Sequence, residues 1–204
     1  MIPHRFQTLK SALRHEGDKV KGSRFIVDVA PATSEAEAMV VVEAARAEFP
    51  DANHHCFAWV LDPEGKVTRA NDDGEPGQAA GAPILKRIES SELKGVVVVV
   101  TRYFGGTKLG VGGMMRAYGN AAAEALELAE RVEVIAKRRL VLTHPYECSG
   151  ALAGALNAHE AEVTQSEYGE SVRLELSVPE AVADAFCADV VELSAGRAQV
   201  EAAP

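Results

Sequence analysis

Five consecutive valines, Val96 to Val100, are the feature that most constrains how this chain can fold. A run that is apolar at every position predicts a central strand covered on both faces, not an edge strand. Five glycines follow between Gly105 and Gly113, where they allow positive φ angles and close approach to the backbone. Residues 114 to 129 then predict a helix, with their apolar residues along one stripe. The order is therefore strand, glycine loop, helix.

The charge around this glycine loop is one-sided. No Asp or Glu occurs between Glu92 and Glu124, whereas four cations do. Backbone amides, a helix N-terminus and nearby cations are the physical ingredients of an anion site. The residues predicted to bind phosphate groups or a nucleic-acid backbone are Arg102, Tyr103, Gly105, Gly106, Lys108, Gly110, Gly112, Gly113 and Arg116. The alternative is that the glycines only make a tight strand-to-helix connection.

Two familiar phosphate motifs are excluded by the residues of this loop. Gly110 is followed by Val111-Gly112, where a Walker A loop has Lys and Ser or Thr. The spacing from Gly110 places Met115 where a dinucleotide fingerprint has its third glycine.

The composition indicates one large or two small domains. The chain has 204 residues, of which 47% are hydrophobic. No apolar run approaches the ~20 residues that span a bilayer, and the N-terminus lacks the apolar core of a signal peptide. We therefore expect a cytoplasmic protein without membrane contact. Three widely spaced cysteines suit free thiols, not a disulfide framework or a zinc site.

The net charge of −9 argues against a protein that coats nucleic acid generally, but it allows a local basic groove. Residues 1 to 135 contain 16 basic and 19 acidic residues, a net charge of −3. Residues 136 to 204 contain 5 and 11, a net charge of −6. Any site for a polyanion is therefore expected in the first part of the chain.

The elements before the valine strand follow from local patterns. Ser34-Glu-Ala-Glu37 is a capping box that starts a helix ending near Phe49, before Pro50. Asp62-Pro63-Glu64-Gly65 has the residues of a type I turn. The other predicted elements are strands at Arg5 to Leu9, Val20 to Ala30, Phe57 to Leu61 and Lys66 to Ala70, and a short helix from Ile84 to Ile88.

An acidic loop follows the second of these hairpin strands. It contains Asp72, Asp73 and Glu75, whose mutual repulsion requires compensation. Their favoured role is structural, as helix caps or as salt-bridge partners of the cationic loop at 102 to 116. The second interpretation is a magnesium site with oxygen ligands. His54 and His55 lie near this loop in sequence, and we expect one core and one solvated residue here, not a metal site.

The second half of the chain predicts a separate domain after a boundary at Arg131 to Arg138. Its order is β-α-β-β-α-β, the ferredoxin-like split motif. We assign residues 1–134 to the N-terminal domain, with its core at about 20–130, and residues 135–204 to the C-terminal domain. The predicted elements are strands at Arg139 to Thr143, Glu162 to Glu167, Ser171 to Val178 and Arg197 to Glu201, and helices at Glu147 to His159 and from Pro179 to about Leu193.

These motifs together resemble the YigZ/IMPACT family. The resemblance rests on the stretch from Tyr103 to Tyr118, which reads Tyr-Phe-Gly-Gly-x-Lys-Leu-Gly-x-Gly-Gly-x-x-Arg-Ala-Tyr. It extends to Asp72-Asp-Gly-Glu-Pro76, His55-Cys56 and Ser23-Arg-Phe-Ile26, and it covers nearly the whole chain. One departure is Gln78, where the family usually has glycine. Gly77, one position earlier, is expected to supply the same freedom.

The resemblance implies an α+β fold in two parts. The N-terminal part would be a two-layer α/β domain like domain 2 of ribosomal protein S5. The C-terminal part would be ferredoxin-like, similar to a terminal domain of translation elongation factor G. Eukaryotic relatives are translation regulators with an additional interaction domain, so their control of a kinase does not carry over. The family supplies no catalytic residues to transfer.

The favoured function is a non-enzymatic translation-associated factor that binds RNA, the ribosome or another polyanion through the loop 102–116, without a cofactor. The first alternative is a metal-assisted enzyme acting on an anionic small molecule, with Mg²⁺ held by Asp72, Asp73 and Glu75 and with His54 or His55 as acid or base. This alternative requires the three carboxylates to converge beside the glycine loop. The second alternative is a protein-interaction adaptor that uses the acidic C-terminal domain.

Overall fold

A computed structural model of the chain describes residues 5–203, which form an α+β protein. They divide into two compact units, one of Phe6–Val134 and one of residues 135–203 with Arg5. The helices are α1 (Glu35–Glu48), α2 (Gly81–Ser90), α3 (Val111–Leu128), α4 (Ser149–Ala158) and α5 (Ala183–Leu193). The strands are β1 (Arg5–Leu9), β2 (Leu13–Glu16), β3 (Arg24–Pro31), β4 (His54–Val60), β5 (Thr68–Asn71), β6 (Val96–Tyr103), β7 (Arg131–Ile135), β8 (Lys137–His144), β9 (Glu162–Tyr168), β10 (Val172–Pro179) and β11 (Gln199–Ala202).

The N-terminal unit is built on a five-stranded antiparallel sheet with the order β2-β3-β6-β4-β5. The valine strand β6 lies at its centre, paired with β3 on one side and β4 on the other. All five valines are fully buried. The prediction of a central strand covered on both faces is confirmed.

Helices cover both faces of this sheet, because alternate residues of β6 belong to different hydrophobic clusters. Val97 and Val99 pack with Trp59 and with α1. Val98 and Val100 pack on the opposite face with α2 and α3. The sheet with α2 and α3 makes the expected α/β layers, and α1 adds a layer on the other face.

The predicted capping box at the start of α1 forms with one change of partner. The Ser34 hydroxyl accepts a hydrogen bond from the Glu37 amide at 3.3 Å, as a cap should. The Glu37 carboxylate accepts mainly from the amide and hydroxyl of Thr33, at 2.7 and 2.9 Å, and the Ser34 amide makes a smaller contribution. These bonds hold the pKa of Glu37 below its ordinary value.

The C-terminal unit has the ferredoxin-like order β8-α4-β9-β10-α5-β11. Its four strands are antiparallel in the order β11-β8-β10-β9. Strand β10 alternates buried and half-buried residues, so one face packs against Leu152 of α4 and Phe186 of α5. None of the helices within residues 5–203 is long and apolar enough to cross a bilayer.

Three elements differ in kind from the sequence prediction, and others differ in their bounds, since the strand predicted from Val20 begins at Arg24. Strand β2 forms where a loop was predicted, and β7 forms within the predicted domain boundary and pairs with β1. Pro179 ends β10 instead of starting a helix, because it still pairs with Lys137 of β8, and a turn separates it from α5. All three depend on pairing between residues that are distant in sequence.

Candidate anion-binding site

The carboxyl end of β6 carries a buried ion pair between Arg102 and Glu75. Only 5% of the Arg102 side chain and 4% of the Glu75 side chain is exposed. The guanidinium donates to the Glu75 carboxylate and, at 3.3 Å, to the hydroxyl of Ser23. The Tyr118 hydroxyl of α3 donates to the same carboxylate at 2.7 Å. A charge removed from water in this way requires such partners.

This cluster joins several of the motifs that carry the family resemblance into one structure. Glu75 comes from the acidic loop, Arg102 from β6, Tyr118 from α3 and Ser23 from the turn before β3. Arg102 was predicted to contact a bound anion, but in the structure its guanidinium forms an ion pair with Glu75. Ser23 and Tyr118 were not predicted as site residues, although both belong to the family pattern and Tyr118 also lies on the apolar stripe of the predicted helix.

Asp72 of the acidic loop binds the backbone at the start of α2. Its carboxylate accepts hydrogen bonds from the amides of Gln78, Ala80 and Gly81 at 2.8, 2.9 and 2.8 Å. Burial raises the pKa of Asp72, but these three bonds favour the charged form more strongly, so the pKa lies below its ordinary value. Asp72 therefore has the capping role that was expected for this loop, although it reaches the start of α2 from the other side of the loop.

Because its pKa is lowered in the folded protein, the contribution of Asp72 to the free energy of unfolding depends on pH. The contribution of Asp72 is fully present above the unfolded pKa of about 3.9 and is lost as pH falls through the lower folded pKa. Replacement by Asn should therefore cost about 1–2 kcal/mol near neutral pH and less in acid. Chemical denaturation followed by tryptophan fluorescence at several pH values measures this difference. Glu127→Gln, on the exposed face of α3, is the control. An equal loss at every pH would contradict the assignment.

Asp73 and the two histidines form a second set of contacts. The Asp73 carboxylate accepts from the His55 amide at 2.6 Å and from Arg46 of α1 at 3.0 Å. The His54 ring lies 2.8 Å from the backbone carbonyl of Asp73 through Nδ1 and 3.8 Å from Glu75 through Nε2. His55 is buried, with Nε2 3.2 Å from the Phe49 carbonyl. His54 is half-buried and not fully solvated. The prediction of one core and one solvated residue is therefore met only in part.

The three carboxylates of the acidic loop do not converge on one point. Asp72 binds backbone amides, Asp73 binds Arg46 and Glu75 binds Arg102. Within residues 5–203, no group of three or more His, Cys, Asp or Glu side chains is arranged to hold a metal ion. The metal-assisted alternative required the three carboxylates to converge beside the glycine loop, and these residues do not do so.

Cys56 lies beneath the same loop and is fully buried. Its Sγ is 3.0 Å from the Asp72 carbonyl and 3.5 Å from the Tyr118 hydroxyl. Burial raises the pKa of this thiol to about 12, so it stays protonated at neutral pH. A protonated, enclosed thiol is a packing residue and not a nucleophile.

The glycine loop begins with a close backbone contact. A Cβ at Gly105 would lie 1.9 Å from the Gly22 carbonyl carbon and 2.1 Å from the Ser23 amide, so only glycine fits. The Gly105 amide donates to the Ser23 hydroxyl at 3.1 Å. This contact fixes the loop to the turn that precedes β3.

Two further loop glycines serve backbone conformation, whereas Gly112 and Gly113 lie in the first turn of α3. Gly106 and Gly110 have φ angles of 86° and 71°, which other residues adopt only at a cost. Gln78, at the family's usual glycine position, also has a positive φ of 63°. Gly77 does not, so it does not supply the freedom expected of it. Gln78 adopts the left-handed conformation itself, at roughly 1–2 kcal/mol.

The N-terminus of α3 opens onto a cavity of about 400 Å³. Gly110 precedes the helix, and no side chain within residues 5–203 caps its first turn. The first turn of the helix closes with a hydrogen bond from the Met114 amide to the Gly110 carbonyl, which leaves the amides of residues 111–113 without a partner within the helix. The walls include His54, Phe104, Lys108, Leu109 and Val111.

Lys108 and Arg116 supply the exposed positive charge beside this cavity and along α3. Both are exposed, and neither forms an ion pair or a side-chain hydrogen bond within the described part of the chain. Tyr103 differs, because its hydroxyl donates to Asp51 at 2.7 Å and Arg24 lies over its ring. Phe104 is 49% exposed, so its ring is accessible.

Comparison with known proteins identifies the family to which this chain belongs. Residues 21–126 match the family described as Impact N-terminal domain, and residues 150–197 match one described as a domain of unknown function, DUF1949. The first match contains every residue of the site. The chain belongs to the IMPACT family.

Relatives of similar length support this membership. The chain is similar to IMPACT family member YvyE of Bacillus subtilis, with 34% identity covering 97% of this chain and 91% of the relative. It is also similar to a Thermus thermophilus IMPACT family member, with 39% identity covering 89% and 99%. A solved structure described as a hypothetical protein matches with a TM-score of 0.74 and 30% identity, covering 99% of this chain and 98% of that one.

Proposed function

We propose that this IMPACT-family protein is a non-enzymatic regulatory factor of translation that binds RNA through the loop 102–116. The N-terminus of α3 would receive a phosphate group, and Lys108 and Arg116 would contact neighbouring phosphates. Membership of the IMPACT family is consistent with a regulatory role related to translation. The resemblance of the motifs to translation regulators supports the same process.

The observation that carries this proposal is the open first turn of α3. An 18-residue helix with uncapped amides has a partial positive charge at its N-terminus. This helix end adjoins a cavity that Gly110, Val111 and Lys108 line. Phosphate binds at such positions because both the hydrogen-bond donors and the helix dipole favour an anion.

The other residues of the loop have supporting roles in this proposal. Arg102 positions the loop through Glu75, because its charge is compensated and buried. The exposed ring of Phe104 provides a surface on which an unpaired base could stack, a contact worth ~1–3 kcal/mol in single-strand binding proteins. Together these features favour single-stranded RNA, in which bases are free to stack.

A non-enzymatic role is favoured by the state of the nearby reactive groups. Asp72 and Asp73 are occupied by backbone amides and by Arg46. Cys56 is enclosed and protonated. A protein partner for the acidic C-terminal unit stays a prediction.

Replacement of both exposed cations tests this function. Lys108→Ala/Arg116→Ala should weaken binding to a short single-stranded RNA. The slope of log K against log salt should become shallower by about 1.4, since each phosphate contact on a single strand contributes about 0.7. Fluorescence anisotropy across a salt series measures both quantities.

The matched control removes two cations from the opposite end of the sheet. Lys10 and Lys66 lie near the start of β6, roughly 23 Å from its carboxyl end. Lys10→Ala/Lys66→Ala changes the net charge equally and should leave the salt slope unchanged. Absence of RNA binding by the natural sequence at low salt, or an equal loss in both variants, would overturn the proposal.

A further inference from the structure

A second cleft lies along α3, beside the cavity at its N-terminus. Its volume is about 420 Å³, and it is bounded by the residues 17–21 on one side and α3 on the other. The α3 residues that line it include Gly113, Arg116, Asn120 and Glu124, which share one face of the helix. The cleft therefore follows α3 for roughly 16 Å.

Three cations line this cleft and are available for a ligand. Lys19, Lys21 and Arg116 are exposed, and they form no ion pair or side-chain hydrogen bond among residues 5–203. Two carboxylates are also present. Glu124 lies 3.3 Å from Nε2 of His15, and Asp18 lies next to Lys19 in sequence. These cations outnumber the two carboxylates that line the cleft, although Lys19 also interacts with Glu16, whose main partner is Arg24.

The turn that carries Lys21 is closed by backbone hydrogen bonds. Lys21 and Gly22 both have positive φ, 47° and 82°, as in a type I′ turn. Val20 and Ser23 exchange two backbone hydrogen bonds of 3.0 Å across it. A lysine in the left-handed region is uncommon, and such strain is often retained at functional positions.

The same turn connects the cleft to the first cavity. Gly22 and Ser23 are the residues against which Gly105 of the glycine loop packs. Leu109 lines both the cavity at the N-terminus of α3 and the cleft along it. A chain bound at the helix N-terminus can therefore continue past Leu109 into the cleft.

We infer that this cleft is a second subsite for the RNA chain, in which Lys19, Lys21 and Arg116 bind the phosphates that follow the one at α3. The inference rests on the proposed function and extends it to a defined path. Its length suits a few nucleotides, because even a stacked strand spaces its phosphates about 3.4 Å apart along the axis. Asn120 and Glu124 offer hydrogen-bonding groups for ribose hydroxyls along the same path.

The test uses two lengths of single-stranded RNA with the full chain. Lys19→Gln/Lys21→Asn removes both turn cations, and Asn is chosen at position 21 because it tolerates positive φ. For an RNA of about sixteen nucleotides, the variant should bind more weakly than the natural sequence. Its salt slope should be shallower by about 1.4. For an RNA of about four nucleotides, which fills only the first cavity, binding should be unchanged.

The outcomes separate this inference from the proposed function. A loss confined to the longer RNA, with the Lys10→Ala/Lys66→Ala control unaffected, supports the second subsite. Unchanged binding of the longer RNA overturns the subsite, while a loss in Lys108→Ala alone, which removes a residue of the first cavity and not of the cleft, still supports the first. An equal loss for both lengths also overturns the defined path. If the natural sequence binds neither RNA, the proposed function fails and the subsite fails with it.

Discussion

Replacing Glu75 with leucine should lower the free energy of unfolding of the N-terminal unit by about 3–5 kcal/mol. The change leaves the Arg102 guanidinium without its counter-charge in a site where only 5% of its side chain is exposed. The Ser23 hydroxyl at 3.3 Å and the Met114 sulfur at 3.7 Å remain as weaker partners. The Tyr118 hydroxyl also loses its acceptor. A buried charge with so little compensation is strongly unfavourable.

Denaturation followed by tryptophan fluorescence measures this loss in the relevant unit. The chain has one tryptophan, Trp59, which is fully buried in β4, so its signal reports the N-terminal unit. Glu16→Gln is the matched control, because Glu16 pairs with Arg24 at an exposed site. Exposed pairs contribute about 0–1 kcal/mol.

A double variant separates the charge from the packing. Glu75→Leu/Arg102→Met removes both charges and replaces them with apolar side chains, a change that is often neutral or stabilising for buried ion pairs. It should therefore recover much of the stability lost in Glu75→Leu. If Glu75→Leu costs no more than Glu16→Gln, the pair does not hold the loops together as the structure indicates.

The central strand and the helix after the glycine loop were predictable because their signals are local. The valine run specifies a strand that is buried on both faces, and the structure places it between β3 and β4. Part of the ferredoxin-like second half was predictable for the same reason, since β10 alternates apolar and polar residues along most of its length.

Strands β2 and β7 were not predicted because both are short and largely exposed, so their local signals are weak. Leu13–Glu16 is short and mostly polar, and it becomes a strand only by pairing with Val29 and its neighbours in β3. Arg131–Ile135 pairs with β1, which lies more than a hundred residues earlier. Context of this kind decides whether a weak strand sequence forms a strand.

The site was partly predictable for a related reason. The crowding of Asp72, Asp73 and Glu75 required compensation, and the structural roles favoured from the sequence, capping and salt bridging, are present. The sequence could not indicate which cation pairs with Glu75. The pairing of Glu75 with Arg102 buries Arg102 and leaves Lys108 exposed. It depends on the antiparallel pairing that brings β4 and β6 together.

Replacing Gly105 with alanine should disrupt the glycine loop and reduce RNA binding. The new Cβ would lie 1.9 Å from one backbone atom of the Gly22–Ser23 turn and 2.1 Å from another, and backbone cannot move aside as a flexible side chain can. The loop must therefore shift, at a cost of roughly 1–3 kcal/mol, as for other overpacked sites. The shift separates the loop from the turn and displaces the residues that lead to Lys108.

Gly77→Ala provides the matched comparison for this prediction. A Cβ at Gly77 meets nothing within 4 Å, and Gly77 does not have a positive φ. Both changes reduce the freedom of the unfolded chain in the same way, so the difference between them isolates the clash. Trp59 fluorescence measures the stability difference, and anisotropy with single-stranded RNA measures the binding difference. Equal denaturation midpoints and equal RNA affinities for the two variants would mean that the loop does not depend on the contact between Gly105 and Gly22.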